Sequence, residues 1–245
     1  MVSGDLIEGA GTGEEQWLPH LARLDLPVLR LTDPPPRAVV VAPHPDDEIL
    51  GVGGLLALLV AAGTVVEVVA VTDGEASNPG GSLAPERLAR VRRQETRAAL
   101  GVLGVPTRVR HLHLPDGGAA ALEQPVLDAL HLEPGTWLIG PWSQDGHPDH
   151  DAVGRACATT AARDGARLLA YPVWAWHWAA ATDPRLPWPR ARQVPLPARV
   201  RAAKAGAVAA FDTQVRGAGP LAADAPVLPP HVLARFARPY EVVFT

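Results

Sequence analysis

An α/β fold, with a mostly parallel sheet covered by helices on both faces, is what this 245-residue sequence predicts. Three observations carry the prediction. Apolar, β-branched runs alternate with helix-length segments in the β-α-β-α order that builds a parallel sheet. Two of those runs, 38–43 (AVVVAP) and 64–72 (TVVEVVAVT), are almost continuously apolar, as strands buried on both faces are. Two clusters of histidines and acids each follow a strand and open a helix, which is where an open α/β sheet binds its ligands.

The elements follow in order. Residues 1–37 are polar and then proline-rich (Pro34, Pro35, Pro36) and are expected to wrap the surface. After the first strand, 48–62 (EILGVGGLLALLVAA) is apolar nearly all round, hence a buried helix, and Gly63 closes it. The second strand runs into the loop DGEASNPGGSLAP, and Pro85 opens a helix over 85–101 that is dense in arginine and glutamate. A third strand spans 107–114, followed by the turn Pro115-Asp116-Gly117-Gly118. A helix at 122–132, a strand at 136–140, the loop PWSQDGHPDH and a helix at 148–163 come next. A further strand begins near 166 and is expected to continue through YPVWAWHW. From 179 to 197 the chain is irregular; a helix at 198–211 and a short strand, EVVFT, finish it. A single domain accounts for residues 1–245, with a core over 38–175, the wrap at 1–37 and an extension at 179–245 that shapes the pocket.

Composition narrows the function. Hydrophobic residues make up 47% of the chain, enough for a full core. A net charge of −4 without basic runs argues against nucleic acid or an anionic membrane as partner. Cys157 is the only cysteine, which excludes an internal disulfide and a multi-cysteine metal site. The start, MVSGDLIEGAGTGEEQW, lacks the charged and apolar regions of a signal peptide, and no apolar run approaches the roughly 20 residues of a membrane helix. A cytoplasmic protein acting on a small molecule is the expectation, with assembly into a homo-oligomer left open. Lys204 is the only lysine among 22 lysines and arginines, a bias typical of GC-rich genomes such as those of actinobacteria.

The first polar cluster is His44-Pro45-Asp46-Asp47-Glu48; the second is Asp145-Gly146-His147-Pro148-Asp149-His150-Asp151. His44 and Asp47 are three residues apart, as are His147 and His150, so at the first turn of a helix each pair sits on one side. Two neighbouring strand ends then supply three ligands of the His-His-carboxylate type. That is a catalytic zinc set, with one position left for water.

HPDDE behind a strand, with HPDH about a hundred residues later, resembles the PIG-L/LmbE family of zinc-dependent de-N-acetylases over about residues 38–175. That family includes deacetylases of mycothiol, glycosylphosphatidylinositol and glycopeptide-antibiotic biosynthesis. The resemblance implies a three-layer, Rossmann-like fold. It implies one zinc ion per chain, with iron(II) as the alternative, held by His44, Asp47 and His150. It makes Asp46 the general base for the attacking water, and His147, as an imidazolium, the group that stabilises or protonates the oxyanion. Arg92, in RVRRQE with Glu95, and Asp116, in LPDGG, match substrate-contacting positions. Glu48 and Asp149 are expected to support the ligands. The implied substrate is an N-acyl amino sugar or a glycosylated natural product, cleaved to an amine and acetate. Asp145 stands where the mycothiol branch commonly has a tyrosine, and DGHPDH is closer to actinobacterial branches of secondary metabolism.

The residues leave alternatives open. Asp46 or Glu48 would serve as a helix cap. Arg92 and Glu95 would serve as an exposed ion-pair face, with Arg93 replacing Arg92 at the site. Asp116 would serve as a plain turn residue. Trp174, Trp176 and Trp178 alternate in the expected strand and so share a face, read first as core or subunit-interface packing and second as a wall for a sugar or aglycone. His111 and His113 pack rather than ligate, Cys157 is a buried small hydrophobe, and Asp73 and Glu75 line the pocket. Specificity is assigned to loops 73–85, 115–122 and 179–197. Two other functions compete: an amidase acting on a thiol conjugate or other natural-product amide, and a non-catalytic ligand- or nucleotide-binding protein. Against the latter, Gly51, Gly53 and Gly54 fall inside a helix rather than in a G-x-G-x-x-G turn.

Overall fold

The alternation of apolar runs becomes a seven-stranded sheet in the computed structural model, which describes residues 9–106 and 108–245. The first eight residues of the expected N-terminal wrap lie outside that range. Strands β1 (Arg37–Ala42), β2 (Val65–Thr72), β3 (Arg108–Leu114), β4 (Trp137–Pro141) and β5 (Arg167–Tyr171) are parallel. Strands β6 (Ala191–Pro195) and β7 (Tyr240–Phe244) complete the order β3-β2-β1-β4-β5-β7-β6, with β7 antiparallel to both its neighbours. The chain leaves β1 towards β2 and β3, then returns to the other side of β1 at β4, where Val40 pairs with Ile139. That reversal is the switch point at which an open α/β sheet leaves a crevice beyond its strand ends.

Side chains two apart on a strand face the same way, and the core divides accordingly. Val40, Val68 and Ile139 pack with helices α2 (Asp47–Ala61) and α3 (Pro85–Val102) and with α7 (Ala198–Ala209) on one face. Val39, Val41, Val69, Val71 and Leu138 pack with α4 (Ala119–Ala129) and α5 (Pro148–Asp164) on the other. Each such side chain, fully buried, contributes about 1.5–3 kcal/mol. The three-layer α/β arrangement expected from the sequence is the one present. Among the described residues no helix is long and apolar enough to cross a membrane.

Three expectations need correction. Residues 14–24 are a helix, α1 (Glu14–Leu24), rather than an irregular wrap; its fully buried Trp17 meets the edge of the Trp176 ring at 4.9 Å. Residues 191–195, expected to be irregular, form β6. The strand beginning at 167 ends at Tyr171 and does not run through the tryptophans. Pro172 has no N–H to offer the ladder. The N–H groups of Val173, Trp174 and Ala175 all donate to the Asp145 carboxylate at 2.9 Å, and the chain turns into a short helix, α6 (Ala175–Trp178). The three tryptophans therefore do not share a face. Trp176 is core, Trp174 faces the site, and Trp178 lies under the Arg185 guanidinium.

Position 51, inside α2, is glycine because the Tyr171 ring of β5 packs against it: a Cβ there would lie 2.4 Å from the tyrosine ring. The Tyr171 hydroxyl donates to the Val41 carbonyl at 2.8 Å, tying β5 to the strand that delivers the first cluster.

Candidate active site

Both polar clusters emerge at adjacent strand ends, after β1 and after β4. Beyond β1, the Pro43 carbonyl accepts from Thr72 N–H and from its hydroxyl, which ties the end of β1 to the end of β2. At Asp46 the backbone turns with φ 121° and ψ −29°, a region that a non-glycine residue enters only at a cost of about 1–3 kcal/mol. Its carbonyl starts α2 by accepting from Ile49 and Leu50. Its side chain does not cap the helix, and lines the cavity instead.

Three side chains meet in a triangle, with Asp47 and His150 buried and His44 half-buried. His44 Nδ1 lies 3.2 Å from His150 Nε2, Asp47 Oδ2 lies 3.3 Å from His44 Nδ1, and the same oxygen is 3.1 Å from His150 Nε2. Ligand atoms about 2.0–2.1 Å from a tetrahedral zinc ion stand roughly 3.3 Å apart, so these residues fit a metal of that size. The ring nitrogens facing away are braced by carboxylates, as metal-ligating histidines require. His150 Nδ1 lies 2.8 Å from Asp145 Oδ2. His44 Nε2 lies 3.3 Å from both Asp116 Oδ1 and Asp149 Oδ2. Burial works against charge on His150, but Asp47 and Asp145 outweigh it and raise its pKa to about 9. Burial likewise pushes Asp47 up, yet the charge on His150 and hydrogen bonds from both histidines hold it well below the usual carboxylate range.

Asp46 behaves oppositely. Burial, then the neighbouring Asp47 and Glu48 charges, lift its pKa well above that of an ordinary aspartate. Burial also raises Glu48, to about 8. Glu48 makes no bond to a ligand histidine; its Oε2 accepts the Asp46 N–H at 3.3 Å and secures the strained turn. Of the two supporting positions expected, Glu48 thus contacts the turn rather than a histidine, and Asp149 contacts His44.

At His147, burial and then the positive charge on His44 and His150 depress the pKa to about 3 in the metal-free protein, against the imidazolium expected from the sequence. Its Nδ1 accepts Asp149 N–H at 3.2 Å, which leaves the proton on Nε2. A neutral imidazole can donate that hydrogen without first acquiring a charge beside a cation.

Around these groups is a cavity of about 300 Å³. Arg92 is not on an exposed ion-pair face: it is 2% exposed, its Nη1 donates to the Gly74 carbonyl, and it lines the cavity. Arg93 turns away to Asp73. Glu95 is buried and accepts from Thr213 N–H and Oγ1, fixing α8 (Asp212–Val215). Asp116 is more than a turn residue, since it contacts His44 and accepts Ala76 N–H. His111 and His113 stack at 5.5 Å and face Asp73, outside this site. Trp174 is part of the wall, its ring stacked on His147 at 6.2 Å.

Ala76, Ser77 and Gly117 also line the cavity, as do Leu50, Val173, Gln214, Val227 and Leu228, and none of the last five stands out in the sequence. No residue of 179–197 lines this cavity. Asp145, read in the sequence only as a missing tyrosine, is the residue whose support of His150 was overlooked. Its signal is a carboxylate five positions before His150.

Residues 39–161, half of the chain, match the PIG-L family, described as GlcNAc-PI de-N-acetylase. The chain belongs to this family. Both clusters fall inside the matched PIG-L region. A diacetylchitobiose deacetylase from Thermococcus kodakarensis is 28% identical over 150 residues, 58% of this chain and 55% of that protein. The chain thus spans about half the length of the curated relative it matches. Among solved structures, the antimicrobial reagent A40926 pseudoaglycone deacetylase superposes with TM-score 0.60 at 22% identity, over 85% of this chain and 96% of that one. The N,N'-diacetylchitobiose deacetylase from Pyrococcus horikoshii gives 0.56 at 20% identity, over 83% and 80%. At these identities the likeness is one of fold.

Proposed function

We propose that this protein is a metal-dependent de-N-acylase that hydrolyses the amide of an N-acyl amino sugar or a glycosylated natural-product intermediate to an amine and acetate. The observation that carries the reading is the His44–Asp47–His150 triangle with Asp46 on the same cavity wall. These three residues would hold one divalent ion, zinc or iron(II). Bound there, such an ion supplies Lewis acidity to the amide carbonyl and acidifies water.

The chain's own groups do the rest. Asp46, with its raised pKa, takes a proton from the attacking water and afterwards delivers it to the departing nitrogen. His147 donates from Nε2 to the carbonyl oxygen as charge develops on it. Arg92 offers a fixed cation to polar groups of the substrate, and Asp116 doubles as a brace for His44 and a polar contact at the rim. Trp174, Val173, Val227 and Leu228 form an apolar flank, which supports a substrate with an apolar face or aglycone. The deacetylase relatives support a small acyl group. An amidase acting on a thiol conjugate would use the same machinery.

We take residues 1–245 to work as one domain, since the C-terminal extension supplies part of the wall. The single cysteine, buried and without a disulfide partner, suits a reducing compartment such as the cytoplasm. The test is acetate release from N-acetylglucosamine, N-acetylated glycosides and larger amides, with protein stripped of metal and then reloaded with zinc or iron(II). Release restored by metal is the expected result. Protein that neither takes up metal nor releases acetate from any of these would end the proposal.

A further inference from the structure

The helix that carries Asp47 and Glu48 is broken one turn later. Val52 adopts φ −142° and ψ 16°, outside the helical range. In an unbroken helix the Gly54 N–H would donate to the Leu50 carbonyl. Here a buried ion pair stands between those two groups. Gly54 N–H donates to Glu241 Oε1 at 2.7 Å, and Leu55 N–H donates to Glu241 Oε2 at 2.8 Å. The Leu50 carbonyl accepts from Lys204 Nζ at 2.8 Å, and Lys204 Nζ lies 2.7 Å from Glu241 Oε1. The Lys204 and Glu241 side chains are 4% and 2% exposed.

Glu241 comes from β7 and Lys204 from α7, both beyond the matched residues 39–161. The approach is built in. A Cβ at Gly54 would lie 2.4 Å from Leu196 Cδ2 and 3.0 Å from Glu241 Oε1, so glycine lets Leu196 and the carboxylate approach the helix closely. The compact ammonium of the chain's only lysine bonds one carbonyl and one carboxylate here, where a wide guanidinium fork would need more space.

We propose that the Lys204–Glu241 pair is a positioning device for the catalytic turn 46–50. It fixes the far end of the short helical piece whose near end bears Asp46 and Asp47, and so sets the aim of Asp47 Oδ2 within the triangle and of Leu50 at the cavity. A buried ion pair adds little net stability, while losing one partner leaves an uncompensated charge that must find another arrangement. The pair therefore holds one geometry of the turn. This inference rests on the metal-dependent reading above.

The test compares E241Q and K204M with R238M, which removes the ion pair of the C-terminal segment to Glu14 on α1, at 2.6 Å, and no bond to the turn. Zinc affinity is read by competition with a chromophoric chelator, thermal midpoint by circular dichroism, and kcat and KM by acetate release. E241Q and K204M should bind zinc at least tenfold more weakly and lose at least tenfold in kcat, with KM within twofold of the unmutated value. R238M should lower the thermal midpoint and leave zinc affinity and kcat unchanged. In the unmutated protein, zinc should slow hydrogen exchange at the Gly54 and Leu55 amides at least threefold more than at the amides of β7, because coupling runs both ways. That measurement decides the matter if neither variant folds. Unaltered zinc affinity in folded E241Q or K204M, or exchange at Gly54 and Leu55 that zinc does not change, overturns the positioning role. Unmutated protein that takes up no zinc overturns the functional reading itself, and this inference with it.

Discussion

Asp145 Oδ2 lies 2.8 Å from His150 Nδ1, with both side chains fully buried. The same carboxylate gathers the N–H groups of Val173, Trp174 and Ala175. One residue thus holds a ring of the triangle and the aromatic wall opposite it.

Replacing that carboxylate by an amide, D145N, puts an NH2 group where donors converge. Metal affinity should fall about 10–100-fold through loss of the ring's orienting acceptor. Stability should fall by about 1–3 kcal/mol for each N–H left unpaired. Chelator competition and urea unfolding measure the two effects; unaltered affinity would show that His150 needs no such support.

Asp46 separates chemistry from backbone strain. D46N should lower kcat about 10²–10⁴-fold while metal stays bound. D46G and D46A are equally inactive, but D46G should be more stable by about 1–2 kcal/mol, because glycine tolerates φ 121°. Metal content, kcat and chemical denaturation of the three variants check this. Equal stability of D46G and D46A would mean that the turn stores no strain.

The tryptophans should divide by task. W174A should raise KM with little loss of stability, and W174F should recover most of the binding. W176A should leave KM unchanged and cost about 3–5 kcal/mol, as large-to-small changes in a packed core do. An unchanged KM in W174A would place the substrate elsewhere.

Stability of the metal-free protein should depend on pH with a definite sign. Burial raises Glu48 to about 8, and the Asp47 and Asp145 charges, overcoming burial, raise His150 to about 9. Each group binds a proton in the folded chain that the unfolded chain has already released. Their stabilisation is complete below the unfolded values, about 4.5 for Glu48 and 6.5 for His150, and is lost as pH rises towards 8 and 9. E48Q should flatten the decline between pH 5 and 8 by up to about 1.4 kcal/mol per pH unit. An identical slope in E48Q would contradict the buried acid. Because His150 must be neutral to ligate, metal uptake at pH 7 should also release protons, detectable in weak buffer.

The fold and the pairing of His44 with Asp47 were legible because their signals are local. Val39–Val41 and Val68–Val71 are apolar on both faces, and the three-residue spacing of His44 and Asp47 needs only one turn to bring the two side chains together. The strand after residue 166 was drawn too long because the alternation of Trp174, Trp176 and Trp178 outweighed Pro172, and because nothing nearby showed that Asp145 would bend the chain. Helix α1 was hidden by its polar surface and by Pro19, with only Trp17 and Leu21 buried. Gln214, Val227 and Leu228 reach the cavity through tertiary packing, which leaves no periodic trace.

His44 and His150 are 106 residues apart, behind strands β1 and β4, which become neighbours only after β2, α3, β3 and α4 have been laid down. The β1–β2 pairing can form early and yields no site. Metal held by this triangle would have to wait for β4 to dock against β1, a closure across the whole intervening excursion, and distant pairings of this kind are slow. In a refolding experiment the appearance of bound metal would therefore date that single long-range event.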